Sequence, residues 1–245
     1  LDTPVVEAIG TRAAPAQQIL TYFVNELRVG GRATPYSFVT AMDRAAEFLL
    51  RSPAASAAPG QPVEPLRDDE IIINAWLADD LKAKVGDPIA LKYYVVGPGR
   101  ELEEKSASFR VRAIIAVEAA DRTLTPKIPG LSDKENCRDW DPGTTIKLDR
   151  IRPEDEAYWE KHHSTPKAFV SLATGDRLWS NRFGHRTALR WFYDEPTPDR
   201  AGLAEKIRGA IDPAQVGLIA QPVRTLALKA ARESQDFGGL FIGLS

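Results

Sequence analysis

Asp69-Glu-Ile-Ile-Ile-Asn-Ala-Trp-Leu-Ala-Asp-Asp-Leu-Lys-Ala-Lys-Val-Gly-Asp87 is the stretch that decides the fold class. Glu70 to Asn74 is a short apolar run with polar bounds, the pattern of a buried strand. Asn74 can cap a helix running through Lys84. Asp79 and Asp80 fall in its early half and Lys82 and Lys84 in its last turn, an order that suits the helix dipole. Trp76, Leu77, Leu81 and Val85 recur at helical spacing and predict one buried stripe, with Asp79, Asp80 and Lys82 facing solvent. Gly86-Asp87 turns the chain into a strand over Ile89–Val96, which Gly97-Pro-Gly99 breaks. Ser106 to Glu118 alternates through Phe109, Val111, Ala113 and Ile115, as a half-buried strand does. The unit reads strand, helix, β-hairpin.

On the N-terminal side, Ile19–Val24 is β-branched and aromatic and favours a strand, although apolar residues at 19, 20, 23, 24 and 27 also fit a helix. Thr34–Thr40 reads as a strand that Pro35 places at its start or on an edge. Asp43–Arg51 suits a helix, and Ser52–Pro65 has the composition of a linker. On the C-terminal side, residues 119–166 are polar, charged and rich in Pro, too long for a simple connection. They read as an insertion with a helix around Pro153–His162. Lys167–Leu172 is then a strand, Thr174 caps a helix to Trp179, and Thr187–Tyr193 is a strand. Asp199–Ala210 is an amphipathic helix carrying Leu203 and Ile207, Val216–Ala220 is a third strand, and Pro222 opens a last helix towards Leu240. This order predicts an α+β fold of two subdomains, with mixed β-sheets and helices packed on them. Residues 19–118 would share a sheet core with 165–180 and 187–221, 119–164 would be the insertion, and 222–245 a terminal segment.

At 245 residues and 43% hydrophobic, the chain can bury a sizeable core. A net charge of −2 gives no electrostatic reason to expect nucleic acid. The chain contains no GxxxxGK[ST], GxGxxG, GxSxG or HExxH, so the residues predict neither a cofactor nor catalysis. His162-His163 are adjacent, and neighbours on a helix point about 100° apart, so the pair suits a surface better than a metal. Cys137 is the only cysteine; it reads as a structural thiol or as a nucleophile paired with His162 or His163. Asp68-Asp69-Glu70 reads as a solvated lead-in to a strand or as a cation site. Trp76, Trp179 and Trp191 sit in regular elements and predict core. Trp140 and Trp159, in the insertion, are either anchors or the lining of a partner or substrate surface.

The chain starts at Leu1 and ends on an uncharged apolar run, Phe237-Gly-Gly-Leu-Phe-Ile-Gly-Leu244. That run is shorter than the roughly 20 residues a spanning helix needs. It reads as the start of a membrane span or as a segment docked on the domain's own core or in a dimer.

Several stretches together resemble the extracytoplasmic domain of ABC-transporter permeases of the MacB/FtsX/LolC–LolE type. They are Asp69–Asp87 with the strand from Ile89; Thr165-Pro-Lys-Ala-Phe-Val-Ser-Leu-Ala-Thr-Gly-Asp-Arg-Leu-Trp179 with Phe183-Gly and Thr187–Trp191; Ala230-Ala-Arg-Glu-Ser-Gln-Asp-Phe-Gly-Gly-Leu-Phe241; and the opening with Pro35-Tyr-Ser-Phe38. The resemblance implies a non-catalytic domain facing the periplasm or cell exterior. It also implies a stalk helix over Leu226, Ala230 and Phe237 that passes the motion of a cytoplasmic ATPase subunit to the outer domain. Other implied partners are a second permease copy or related subunit, and an extracytoplasmic protein or lipid-linked substrate. The substrate classes implied are lipoprotein, lipid, peptide or drug. The insertion is longer than in compact members of that family. The alternative is a soluble α+β enzyme or ligand-binding protein using the Cys137/His162 region.

Overall fold

The computed structural model describes residues 1–12, 16–50, 64–143, 146–191 and 199–234. Seven strands form one mixed sheet: β1 (Gln17–Val29), β2 (Arg32–Met42), β3 (Glu70–Asn74), β4 (Pro88–Val96), β5 (Leu102–Ile115), β6 (Ala168–Ser171) and β7 (Ala188–Arg190). Among the described residues seven α-helices accompany them: α1 (Thr3–Arg12), α2 (Ala45–Leu50), α3 (Ala75–Leu81), α4 (Pro153–His162), α5 (Leu172–Trp179), α6 (Arg200–Ala210) and α7 (Val223–Ser234).

The sheet order is β2-β6-β3-β5-β4-β1-β7, and β1 also pairs with β2, so six strands close into a ring with β7 outside it. β1 and β2 form a long antiparallel hairpin, from Ile19↔Met42 to Val29↔Arg32. Its tight turn uses Gly30, whose φ of +53° costs a residue without a Cβ little. β2–β6 and β3–β5 are the parallel pairings. Alternate residues of the ring face one core, including Val24, Val39, Ile71, Ile73, Leu91 and Val170, and α3 and α5 cover that face with Leu77, Leu81 and Trp179. Contact between α5 and β2 is so close that a Cβ on Gly175 would collide with that of Ala41. The opposite residues, Ile19, Met42, Ile72, Ile115 and Phe169, form a second core under α2.

The local chemistry of α3 follows its sequence. Asn74 Oδ1 accepts from Leu77 N–H at 2.9 Å, and Leu77 and Leu81 are buried. The helix stops at Leu81 rather than Lys84 because Lys82 takes the left-handed conformation and its N–H closes back on Ala78 and Asp79. Val85 therefore lies beyond the helix and is 61% exposed. In α5 the N-cap is Ser171, which accepts from Thr174 N–H. The expected third strand at 216–220 does not form. Pro213–Val216 is a single 3-10 turn, and the segment that follows is exposed, with no neighbouring strand to complete a ladder. Of residues 187–221, the sheet takes only β7. The linker Ser52–Pro65 lies largely outside the described residues.

α1 buries Val6 and Ile9 and packs on α6 and on the 3-10 turn ahead of α7. α7 itself is exposed at every described position from 223 to 232. No described helix is long and apolar enough to cross a membrane.

Candidate functional site

The segment 119–164, expected from the sequence to be an insertion, seats on the outer face of the β1–β2 hairpin. Tyr36 and Phe38 of β2 meet Leu131, Cys137, Trp140, Ile151 and Trp159 in a third, separate core. Phe23 of β1 stacks on Tyr36 at 5.8 Å and meets Trp140 edge-on, and Trp140 meets Trp159 edge-on at 4.9 Å. Trp140 and Trp159 are 7% and 3% exposed. They anchor the segment, because a large aromatic at the root of a polar stretch is the main apolar area that stretch can bury, and Trp159 also lines an open groove with His163 and Lys134. Trp159 Nε1 donates to Lys134 O at 3.0 Å, and Lys147 N–H donates to Tyr36 Oη at 2.7 Å.

Charged groups complete the seat. Arg152, at the N-cap of α4, donates to Asp80 Oδ1 and Oδ2 at 3.1 and 2.7 Å, and to both oxygens of Asp155. Thr34 Oγ1 also donates to Asp80 Oδ2, at 2.5 Å. Asp80 therefore faces the insertion, not solvent, and its side chain is only 13% exposed. Burial opposes its ionisation, but the hydrogen bonds from Arg152 and Thr34 outweigh that and hold the carboxyl below its usual range. Asp79 stays exposed, paired with Lys82. Lys167 Nζ lies 3.7 Å from Asp155 Oδ1 and over the rings of Trp76 and Tyr158, at 4.1 and 4.7 Å. Burial drives its pKa down to about 8. Asn74 Nδ2 donates to Tyr158 Oη at 3.0 Å, so the residue that caps α3 also holds α4. Arg150 bonds Glu26 of β1 at 2.5 Å.

Cys137 lies inside this seat at 2% exposure. Burial pushes its thiol well above the usual range, and the neighbouring Glu156 adds to that, so the nucleophilic thiolate is disfavoured. His162 packs on Tyr158 and His163 on Trp159. His163 lines the same void as Cys137, whose volume of about 20 Å³ has room for one water. The void at Cys137 is thus too small for a substrate, while His163 and Trp159 also line a separate open groove of about 610 Å³. The Asp68 carboxylate is bound by Arg177 at 2.8 Å, which gives Asp68 a structural role.

A larger opening lies beside the seat. A groove of about 540 Å³ runs between β1, the strand end at Tyr94, the insertion and the loop after α5. Tyr22, Phe23, Ile128, Ile146, Trp179 and Phe183 supply most of its wall. Tyr22 stacks on Trp179 at 5.2 Å, and its hydroxyl donates to Tyr94 O at 2.5 Å. No carboxylate lines the groove, and its one guanidinium, Arg186, is held by Asp176 and by Gln18 Oε1. The indole N–H of Trp179 has no partner among the described residues. Volume and apolar lining both fall in the range of ligand sites. Sequence periodicity did not reveal this groove, since its walls come from segments over 100 residues apart.

Of the residues expected to form a stalk, Leu226 and Ala230 lie on one exposed face of α7, and Phe237 lies outside the described residues. Leu218, Ile219 and Val223 are also about 70% exposed.

No protein-family model and no curated protein matches the chain. Among solved structures it is similar to the periplasmic region of MacB from Actinobacillus actinomycetemcomitans, at 8% sequence identity, covering 85% of this chain and 73% of that one, with a TM-score of 0.41.

Proposed function

We propose that this chain is the extracytoplasmic domain of an ABC-transporter permease, and that it couples ATP hydrolysis on the far side of a membrane to movement of a substrate or control of a partner protein. The observation that carries this reading is α7. Its described side chains are exposed throughout, with Val223, Leu226 and Leu228 at 68%, 51% and 52%. A twelve-residue helix is marginal in water by itself. A stalk continuing into an apolar run accounts for both its exposure and its sequence. The packing of α1 on α6 and the turn before α7 fits two chain ends that leave the domain on one side. The domain itself would act by recognition and transmission, without chemistry of its own.

Three glycines inserted after Ala231 in the full-length protein test this. The domain should stay folded, because α7 is exposed at every described side chain up to Arg232. ATP hydrolysis by the reconstituted transporter should lose its coupling to transport, since a broken helix cannot pass force. Unchanged coupling with the helix shown to be broken would remove the stalk role. A gene without hydrophobic spans flanking residues 1–245 would remove the membrane reading altogether.

A further inference from the structure

The groove beside β1 overlies a gap in the sheet. On the edge away from β2, β1 pairs with β7 through residues 17–19 and with β4 through residues 26–28. Residues 20–25 pair with neither, although residues 20–24 pair with β2 on the other edge, from Leu20↔Ala41 to Val24↔Ser37. Thr21 N–H reaches toward the β7 side, donating to Thr187 Oγ1 at 2.9 Å. Main-chain groups of a strand alternate between its two edges, so Phe23 and Asn25 direct their N–H groups to the same side. No side chain among the described residues accepts from either. Leu20, Thr21, Tyr22, Phe23 and Asn25 all line the groove.

We infer that the groove binds an extended, uncharged apolar peptide segment, which adds to the open edge of β1 as a short strand between β4 and β7. Main-chain pairing with Phe23 and Asn25 supplies direction, and the aromatic walls take alternate side chains, the usual division of labour in strand addition. The gap of six β1 residues is about 20 Å long at 3.3 Å per residue. Allowing for the ends of β4 and β7, it accommodates roughly four residues of a second chain. Charge selects the occupant: the lining has no carboxylate, the Leu1 ammonium already donates to Arg186 O, and Arg186 is held by Asp176 and Gln18, so a charged segment would lose its hydration without gaining a free partner. An acyl chain would fill the apolar volume but leave the strand edge unmet. This inference does not depend on the membrane reading of α7.

The probe is an acetylated and amidated peptide, Val-Thr-Val-Phe-Val-Ser, titrated into the 245-residue chain. Binding should be saturable, and amide hydrogen exchange at Phe23 and Asn25 should slow at least tenfold in the complex. Two versions of the peptide, N-methylated at odd or at even amides, keep the side chains and each block one edge. One of them should bind at least tenfold more weakly than the parent. Phe183→Asp, at a position 65% exposed on the rim, should weaken the parent at least tenfold with the fold intact. If both methylated peptides bind like the parent, or the Phe23 and Asn25 amides gain no protection, strand addition is wrong. If lysophosphatidylcholine binds in the groove and the peptide does not bind at millimolar concentration, the occupant is an acyl chain and the inference falls.

Discussion

Among the described residues between 119 and 164 there is a single α-helix and otherwise short turns, yet Leu131, Cys137, Trp140, Ile151 and Trp159 are all buried there. From 223 to 234 it is regular helix, and every described side chain to 232 is exposed. Internal regularity and attachment to the domain are thus separate properties. The insertion is fixed by what it touches: aromatic rings set between its own turns and the β1–β2 hairpin, with Arg152 and Arg150 reaching across to Asp80 and Glu26. The described side chains of α7, up to residue 232, are exposed and bury nothing against the sheet. In the proposed coupling role the first region would belong to the rigid body and the second to the link that moves it.

The widest separation between the two regions should appear on truncating Trp159. It is 3% exposed and donates to Lys134 O, so Trp159→Ala removes a ring and a hydrogen bond together. Urea denaturation should report a loss of about 3–5 kcal/mol, the range for large-to-small aromatic changes in a core. Hydrogen exchange should accelerate first across 119–164. A loss below about 1 kcal/mol would mean the segment is draped on the hairpin rather than built into it.

Lys167 tests the seat by pH. Its folded pKa of about 8 lies below its ordinary value of 10.5, because burial disfavours the ammonium more than Asp155 and Asp80 favour it. Unfolding, or lifting of the segment off Lys167, therefore takes up a proton. The sign follows: the Lys167 contribution makes the folded form more stable as pH rises from about 8 to about 10.5, and least stable below about 8. The full swing is of order 3 kcal/mol at 1.36 kcal/mol per pKa unit. Cys137 and Tyr158, both raised by burial, act in the opposite sense at high pH, so the comparison must be a difference between wild type and Lys167→Met. That difference should change with pH over this window. A difference independent of pH would show that Lys167 does not titrate in place.

Asp80→Ala should cost less, about 1–2 kcal/mol. It strips Arg152 and Thr34 of one partner, but Arg152 is 34% exposed and keeps Asp155, so water and the remaining carboxylate screen the loss. Asp79→Ala, one residue earlier and in solvent, is the control and should lie within about 0.5 kcal/mol of wild type. Equal effects at the two positions would mean the bidentate contact holds nothing.

These positions also show what could be read from the chain beforehand. The strand at 70–74, the Asn74 cap and the helix at 153–162 were legible because apolar spacing, a capping side chain and Pro153 act within a few residues. The buried face of Leu77 and Leu81 was legible for the same reason. Asp80 was not: helical periodicity places it beside Asp79, and only the partner across the fold, 72 residues away, turns one inward. Trp140 and Trp159 were legible as anchors, since the few aromatics of a polar stretch carry its burial, but the hairpin residues they pack on were not. The strand expected at 216–220 failed in the other direction. Leu218 and Ile219 have the propensity, but a strand needs an edge to join, and none lies there. The open edge of β1 is invisible in sequence for the converse reason, being set by where β4 and β7 stop.

The smallest expected effect completes the comparison. Leu226 is 51% exposed on α7, and Leu226→Ala keeps a strong helix former at that position, so unfolding of the isolated chain should change by less than about 0.5 kcal/mol. The same residue is expected to matter when the surrounding protein is present, because the face it shares with Ala230 would then be covered. The informative measurement is thus made twice, on the 245-residue chain and on the full-length protein in a membrane, reading stability in the first and coupled ATP hydrolysis in the second. A silent change in both would leave the face without a role. A loss of more than about 1 kcal/mol in the isolated chain would show that α7 packs on the domain in solution, and the contrast between an embedded insertion and a free helix would no longer hold.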